Sequence, residues 1–286
     1  MKNAKPLGAL ARILILILPF SVFGQQTANG QFSSEANVQN AISYNDRGIA
    51  KQHNGNLNGA IADFDQAIRL NPKYSAAYDN RGDVKRREGD LKGAMADINQ
   101  AIRLNPKNAI AYYHRGRVKA RMNDRDGAIA EFSEAIRLNP KYAAAYNHRG
   151  GLRRKKGDLK GAMTDSNEAV KLDPKSSGAR DNLGSAKFMK GDIDGAMADF
   201  NQAITLNSKN ALAYNNRGIA KERKGDLDGA LADYSRAIQL KPKYGDAYRN
   251  RGNARRKKGD IIGAIGDLNQ AAKLGSTSAE AVELPD

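Results

Sequence analysis

One phrase recurs along the chain with a period of 34 residues: usually a Tyr, then two further residues, then Arg-Gly. The marker glycines are Gly48, Gly82, Gly116, Gly150, Gly184, Gly218 and Gly252. A fixed period of this length indicates a repeat array, in which each unit buries its apolar face by stacking on its neighbours. The period therefore predicts a string of small, similar units rather than one globular core.

We number each unit from phase 1 to phase 34, with the marker glycine at phase 8. Phases 20 and 27 are Ala in all seven units, phase 4 is Tyr in six, and phase 32 is Pro in five. The same residue types at the same phases predict the same local structure in each unit. The units span residues 41–74, 75–108, 109–142, 143–176, 177–210, 211–244 and 245–278.

The sequence of each unit predicts two helices joined by a tight turn. Small and apolar residues recur at helical spacing from Ser75 to Glu88, and Gly89 ends this helix because Gly accepts a left-handed backbone conformation. Asp90 follows as the N-cap of a second helix, which carries an apolar stripe. Gly or Asn followed by Asp or Asn recurs at these two phases in every unit. The expected fold class is all-α, built from helical hairpins.

A 34-residue helical hairpin with an aromatic residue, Gly, two Ala and Pro at these phases resembles the tetratricopeptide repeat. The resemblance covers residues 41–278 and implies a right-handed superhelical solenoid whose first helices line a concave groove. It also implies a scaffold that binds proteins or peptides. Two features depart from the family pattern: phase 7, usually Leu, is Arg in six units, and phase 11, usually Tyr, is Lys or Arg in all seven.

An acidic residue occupies phase 23 of every unit and is expected to lie opposite phase 7 in the hairpin. We predict an ion pair between these phases, for example Arg115 with Glu131, because a half-buried Arg without a partner would be costly. Arg217 and Asp233 should form the same pair. In the fifth unit Leu183 replaces Arg, so Asp199 should face solvent or find another cation.

The N-terminal residues have the pattern of a secretory signal peptide. Basic residues precede an apolar run over residues 13–23, which is shorter than the roughly 20 residues of a membrane helix. We expect residues 1–24 to be a signal peptide, residues 25–40 a polar flexible lead and residues 279–286 a short tail. The chain would be exported, to the periplasm or outside the cell, with no membrane span after cleavage. Since it has no Cys, it can have neither a disulfide nor a lipid-modified cysteine.

The net charge of +16 is concentrated on the first helices, where phases 1–15 sum to +21 while phases 16–34 sum to −4. A cation near a helix C-terminus can complement the helix dipole, but runs such as Arg153 to Lys156 exceed that need. Stacked first helices would align these runs into a basic stripe that attracts anions, unless the cations simply form a solvated basic face. The candidate residues of the stripe are Arg86, Arg87, Arg121, Arg154, Lys155, Arg223, Arg256 and Lys257.

Phase 6 is expected to face the groove and carries a row of polar side chains. Amides have two donors and an acceptor, so a row of them can bind the backbone of an extended peptide. The resemblance implies this role only for the four asparagines after Asp46, while the two histidines interrupt the row. The two histidines could bind a metal, but no Cys and no obvious third ligand completes a site, so no metal or cofactor is expected. The row is Asp46, Asn80, His114, His148, Asn182, Asn216 and Asn250.

The fifth unit departs most from the others, because it carries Phe188 and Met189 at phases 12 and 13, where both neighbouring units are charged. One interpretation is an anchor pocket for an apolar side chain of an acidic partner, with Asn182 and Asn216 holding its backbone. The other is that Phe188 is a core residue that replaces the missing Tyr ring of this unit.

No catalytic residues are predicted, because the chain has no phosphate-binding loop, no nucleophile elbow and no paired His with metal spacing. Three functional hypotheses follow. The first is an exported adaptor that binds an acidic peptide or protein segment in a basic groove. The second is binding of an anionic polysaccharide or other envelope polymer. The third is nucleic-acid binding, which the charge allows but the signal peptide argues against, so a nucleic-acid partner is not expected.

Overall fold

The computed structural model describes residues 34–276, which form fourteen helices joined by short turns. The predicted signal peptide, residues 25–33 of the lead and residues 277–286 lie outside the described residues. None of the helices within residues 34–276 has the length and apolar character needed to cross a membrane. The helices are α1 (Ser34–His53), α2 (Leu57–Leu70), α3 (Ser75–Glu88), α4 (Leu91–Leu104), α5 (Ala109–Arg121), α6 (Arg125–Leu138), α7 (Ala143–Lys155), α8 (Leu159–Leu172), α9 (Ser177–Met189), α10 (Ile193–Leu206), α11 (Ala211–Arg223), α12 (Leu227–Leu240), α13 (Gly245–Lys257) and α14 (Ile261–Lys273).

The first helix begins earlier than the polar composition of its N-terminal part suggests. Residues 34–40, expected to belong to a flexible lead, form roughly the first two turns of α1. Polarity does not prevent a helix here, because no Gly or Pro interrupts the segment. Glu35 in the first turn also complements the positive end of the helix dipole.

The turn inside each hairpin has the geometry that its residue types predict. Gly89 has a φ of 98°, and Asn123, the non-glycine residue at this phase, has a φ of 63°. Asp90 then caps α4 by accepting a hydrogen bond from the backbone N–H of Gly93 at 2.8 Å. The equivalent Asp or Asn caps the second helix of every described hairpin, so this prediction is confirmed.

Small residues bring the two helices of each hairpin into contact. A Cβ atom at Gly218 would lie 2.6 Å from the ring of Tyr234, so the marker glycine provides the space that the ring fills. The Ala residues at phases 20 and 27 are buried in all units. Each second helix also packs against the first helix of the next unit, which makes the core continuous along an all-α solenoid.

Candidate functional site

The cations at phases 7 and 11 are bound inside the array. In the six units that have the phase 7 Arg, it pairs with the phase 23 acid of its own hairpin at N–O distances of 2.5–2.8 Å. The phase 11 Lys or Arg contacts the same acid in all seven hairpins at 2.6–3.0 Å. The predicted ion pairs are therefore confirmed, and each acid holds a second cation that the sequence did not assign to it.

Two irregularities of the fifth unit compensate each other. Asp199 lacks the usual phase 7 Arg, but it pairs with Lys187 at 2.6 Å and with Arg180 at 3.3 Å. Arg180 occupies phase 4, about one helical turn before Leu183. Arg180 therefore replaces the missing phase 7 Arg from a position one turn earlier on the same helix. This confirms the expectation that Asp199 finds another cation.

The phase 7 Arg also joins neighbouring hairpins. Arg217 Nη1 donates to Asn201 Oδ1 at 2.8 Å, and Asn201 belongs to phase 25 of the preceding unit. Equivalent bonds follow in four other units, so the Arg links its own hairpin to the previous one. The sequence feature that could have predicted these bonds is the Asp, Asn or Ser at phase 25 of every unit. These bonds join Arg81 to Asp65, Arg115 to Asn99, Arg149 to Ser133 and Arg251 to Ser235.

These contacts correct the expectation of one continuous basic stripe on the first helices. Thirteen cations, six at phase 7 and seven at phase 11, already have a carboxylate partner. Three candidate stripe residues are paired as well. Arg86 and Arg87 share Asp83, and Lys257 pairs with Glu222 at 2.9 Å. Fewer cations are therefore available to a ligand than the formal charge of the first helices suggests, because internal carboxylates bind most of them.

Five candidate residues of the stripe have no carboxylate within ion-pair distance in the described part of the chain. They lie at phases 12 and 13, in the last turn of the first helices or just after it. All are exposed except Arg154, which is half-buried, and its burial lowers the pKa of its guanidinium. We call these residues the free cations. They are Arg121, Arg154, Lys155, Arg223 and Arg256.

The phase 6 asparagines form a ladder between neighbouring first helices. Each Nδ2 donates to the phase 5 side chain of the preceding unit at 2.7–2.9 Å, so part of each amide is committed to stacking the units. No donor from residues 34–276 reaches their Oδ1 atoms, which leaves an acceptor row on the half-buried inner face. The pairs are Asn80 with Asn45, Asn182 with Asn147, Asn216 with Asp181 and Asn250 with Asn215.

The two histidines of the row differ from each other. His114 makes the ladder contact, with Nδ1 2.9 Å from Oδ1 of Asp79. His148 instead packs beside Phe132 and Tyr113, at ring centroid distances of 5.6 and 5.5 Å. Its imidazole reaches solvent, yet the surrounding protein and two nearby arginines lower the pKa of His148 to about 4. Within residues 34–276, no three ligating side chains come together to hold a metal ion.

A buried carboxylate organises the cations of the second and third units. Asp83 is 3% exposed and accepts hydrogen bonds from Arg86, Arg87 and Arg117 at 2.7–3.3 Å. Burial alone would raise the pKa of Asp83, but nearby His114, Arg86 and Arg117 lower it below its ordinary value. This cluster joins neighbouring first helices, so Arg86 and Arg87 have a structural role that their place in a basic run did not indicate.

A small pocket, partly open to solvent, lies between the first helices of units four, five and six. Phe188 is half-buried against Phe200 at one wall, whereas Met189 is 40% exposed. The ring of Phe188 therefore packs on the core and also lines the pocket, while its role as an anchor for a partner stays a prediction. Asn182 is not among the lining residues. We call this site the unit-five pocket, and it is lined by Arg154, Ser185, Phe188, Met189, Phe200, Asn216 and Ile219.

Two ionisable groups near this pocket have unusual surroundings. The Nε atom of Arg154 is buried without a hydrogen-bond partner, and its Nη1 meets only the sulfur of Met189, at 3.9 Å. Asp181 is 2% exposed and lies next to the pocket residue Asn216, from whose Nδ2 it accepts a hydrogen bond at 2.9 Å. Burial raises the pKa of Asp181 to about 6. The two groups attract each other but lie beyond ion-pair distance, and neither forms an ion pair with another described residue.

Comparison with known families agrees with the repeat pattern. A family model described as TPR repeat matches residues 82–123, 184–225 and 223–259. Two models described as tetratricopeptide repeat match residues 113–179 and 41–74. Together these matches include most of the described array. No curated protein matches the chain at a significant level of sequence similarity.

Solved structures with the same architecture are similar to the chain over most of its length. A tetratricopeptide repeat protein from Parabacteroides merdae has a TM-score of 0.66 at 21% identity, over 84% of this chain and 95% of its own. The Cut9–Hcn1 complex gives a TM-score of 0.70 at 17% identity, over 79% of this chain and 46% of the matched chain. YrrB, described as a TPR protein with an unusual peptide-binding site, gives a TM-score of 0.50 at 25% identity, over 64% of this chain and 95% of its own.

Proposed function

Since the chain belongs to the tetratricopeptide repeat family, we propose that it is a non-catalytic scaffold whose seven repeats bind an extended acidic protein segment along the first helices. One observation carries the proposal, which is that the cations of these helices fall into two sets. The cations of phases 7 and 11 bind internal acids, so the fold accounts for them. The free cations bind no internal acid, although Arg121 donates a hydrogen bond to the backbone carbonyl of Arg86.

Position as well as number supports an acidic ligand. The free cations recur at phases 12 and 13 of units three, four, six and seven, so they form a discontinuous row at one end of the first helices. Like charges on neighbouring units repel one another, and a negatively charged segment crossing them would remove that repulsion. Four of the five free cations are exposed, which favours fast and salt-sensitive association over tight binding.

The acceptor row beside the free cations supports a peptide over other anions. Each phase 6 asparagine directs its N–H groups to a neighbouring unit, so its Oδ1 can accept a hydrogen bond from the backbone N–H of a ligand. A peptide backbone offers one N–H donor per residue, whereas a polysaccharide can donate to this row only through its hydroxyl groups and not through its sulfate or carboxylate groups. The peptide-binding site described for YrrB, which has the same architecture, agrees with a peptide as the ligand class.

The cellular location in this proposal rests on the sequence. Basic residues followed by the apolar run of residues 13–23 have the pattern of a signal peptide, so the partner would be periplasmic or extracellular. N-terminal sequencing of protein recovered from fractionated cells tests this point. A mature N-terminus near residue 25 in the exported fraction supports export, whereas an intact N-terminus in the cytoplasm contradicts it.

Calorimetry of the mature protein with two probes tests the proposed ligand class. The probes are a nine-residue peptide of alternating Asp and Glu, and polygalacturonate as an anionic polysaccharide, each titrated over a salt series. We expect the peptide to saturate one site and to bind several-fold more weakly when Lys155→Gln and Arg256→Gln are combined, with an unchanged Tm, because both side chains are exposed. Binding of polygalacturonate alone would favour the polymer hypothesis, and binding of neither would contradict the proposal.

A further inference from the structure

We infer that the unit-five pocket selects partners in which an apolar side chain, aromatic or branched aliphatic, stands next to a carboxylate. This inference rests on the proposed function and names the feature that the array would recognise within an acidic segment. It depends on three properties of the pocket: its apolar lining, its place among charged neighbours and the unpaired guanidinium at its rim.

The lining and the small size of the pocket suit one apolar side chain. Phe188, Met189, Phe200 and Ile219 contribute carbon and sulfur surfaces. The pocket is small and partly open to solvent, so it has no room for a ligand of drug size. A single side chain of a bound segment therefore fits better than a larger small molecule. Met189 adds adaptability, because its unbranched thioether can adjust to ligands of different shape.

The sixth unit fills the corresponding phases in another way. There Glu222 occupies phase 12 and accepts a hydrogen bond from the Tyr234 hydroxyl at 2.8 Å, while Lys257 of the next unit binds its other oxygen. In the fifth unit Phe200 has no hydroxyl, and Phe188 takes the place of the acid. The polar network of the sixth unit is thus replaced in the fifth unit by apolar side chains that line an opening. This exchange explains why the pocket lies at unit five.

The guanidinium of Arg154 supplies the second half of the recognition. It lines the pocket, its Nε is buried without a partner, and no carboxylate of the described residues lies within ion-pair distance. The nearest buried acid, Asp181, is bound by Asn216 and forms no ion pair with it. A half-buried cation of this kind gains most from a planar carboxylate, which can accept two of its N–H groups. A ligand carboxylate beside the apolar side chain would meet this requirement.

Fluorescence anisotropy with a matched pair of peptides tests the inference on the full mature chain. Both probes are nine residues of alternating Asp and Glu, with Phe at the fifth position in one and Ala in the other. The wild-type protein should bind the Phe peptide about tenfold more tightly, which corresponds to about 1.4 kcal/mol. A third peptide, in which Gln replaces the Glu on each side of Phe, should lose most of this advantage because it lacks the adjacent carboxylates.

Three variants separate the pocket from the general charge of the groove. Met189→Glu changes an exposed residue that contacts Arg154 and places a carboxylate there, so it should abolish the preference for Phe. Phe188→Ala should do the same, with the Tm recorded to identify any loss of folding. The matched control is Arg223→Gln, which removes a free cation outside the pocket. It should weaken the binding of the Phe and Ala peptides by the same factor and leave the ratio of their two Kd values unchanged.

The outcomes distinguish the inference from the proposal on which it rests. Equal binding of the Phe and Ala peptides by the wild-type protein would overturn the pocket inference and leave acidic-peptide binding intact. A preference for Phe that survives Met189→Glu would also overturn it, because the apolar side chain would then bind elsewhere. If neither peptide binds, both the proposed function and the pocket inference are wrong.

Discussion

Asp233→Asn should lower the free energy of unfolding by about 2–4 kcal/mol, because the carboxylate holds two cations inside the sixth hairpin. Its side chain is 5% exposed, accepts from Arg217 at 2.7 and 2.8 Å, and pairs with Lys221 at 2.9 Å. The amide removes the negative charge that both cations bind and leaves them without a carboxylate partner among the described residues. Breaking a buried pair costs roughly 3–5 kcal/mol, and partial contact of the two cations with water reduces that cost.

Urea unfolding followed by circular dichroism measures this loss, with Asp228→Asn as the matched control. Asp228 lies in the same helix and pairs with Lys258, but its side chain is 84% exposed. An exposed pair contributes little, so we expect the control to change the free energy by less than about 1 kcal/mol. If Asp233→Asn costs no more than Asp228→Asn, the internal pairs do not stabilise the array as argued.

The fifth unit supplies a second arm of this experiment. Arg217→Leu copies Leu183 and should cost about 1–2 kcal/mol, because Asp233 keeps Lys221 while the bond to Asn201 is lost. Adding Tyr214→Arg to Arg217→Leu recreates the arrangement of the fifth unit and should recover part of that loss. No recovery would mean that Arg180 does not substitute for the missing phase 7 Arg.

Three further predictions concern buried groups and the C-terminal hairpin. The pKa of Asp181 is raised to about 6, so its proton is bound more tightly in the folded state, and stability falls as the pH rises from about 4 to 6. Asp181→Asn should therefore stabilise the protein by about 1–3 kcal/mol at pH 8 and have little effect at pH 4, measured by thermal unfolding. Gly218→Ala should destabilise by about 1–3 kcal/mol, because its Cβ would meet Tyr234 at 2.6 Å, whereas Gly266→Ala, with no atom within 4 Å, should stabilise by about 0.5–1 kcal/mol; equal Tm changes would contradict the packing described. Hydrogen exchange should be fastest in α14 among the second helices, since no described unit follows it, and protection equal to that of α6 would contradict this.

Much of the fold follows from local sequence. The turn at Gly89 and Asp90 needs only a left-handed residue followed by a cap, and both are visible in the chain. The pairing of Arg115 with Glu131 follows from antiparallel helices that turn back at a known phase. These predictions succeed because each depends on residues within one hairpin.

The candidate binding face was harder to predict because it depends on contacts between hairpins. Counting charge could not show that Arg86 and Arg87 bind Asp83, since that requires the side-chain directions on one helix face. The second partner of Arg217 lies in the preceding unit, and only the polar residues at phase 25 hinted at it. Phe188 was ambiguous for the same reason, because a residue between two units can belong to the core and to a pocket at once.

The central claim is that the cations of the first helices divide into a structural set and a ligand-binding set. Arg217 and Arg223 lie on the same helix and represent the two sets, with one internal acid partner for Arg217 and none for Arg223 in the described chain. The most direct test is the Kd of the acidic nine-residue peptide for Arg217→Gln and Arg223→Gln, each measured where the variant is fully folded. We predict that Arg223→Gln raises the Kd about three- to fivefold, or about 0.7–1 kcal/mol, while Arg217→Gln changes it less than about twofold. An equal rise for both variants would contradict the division into two sets.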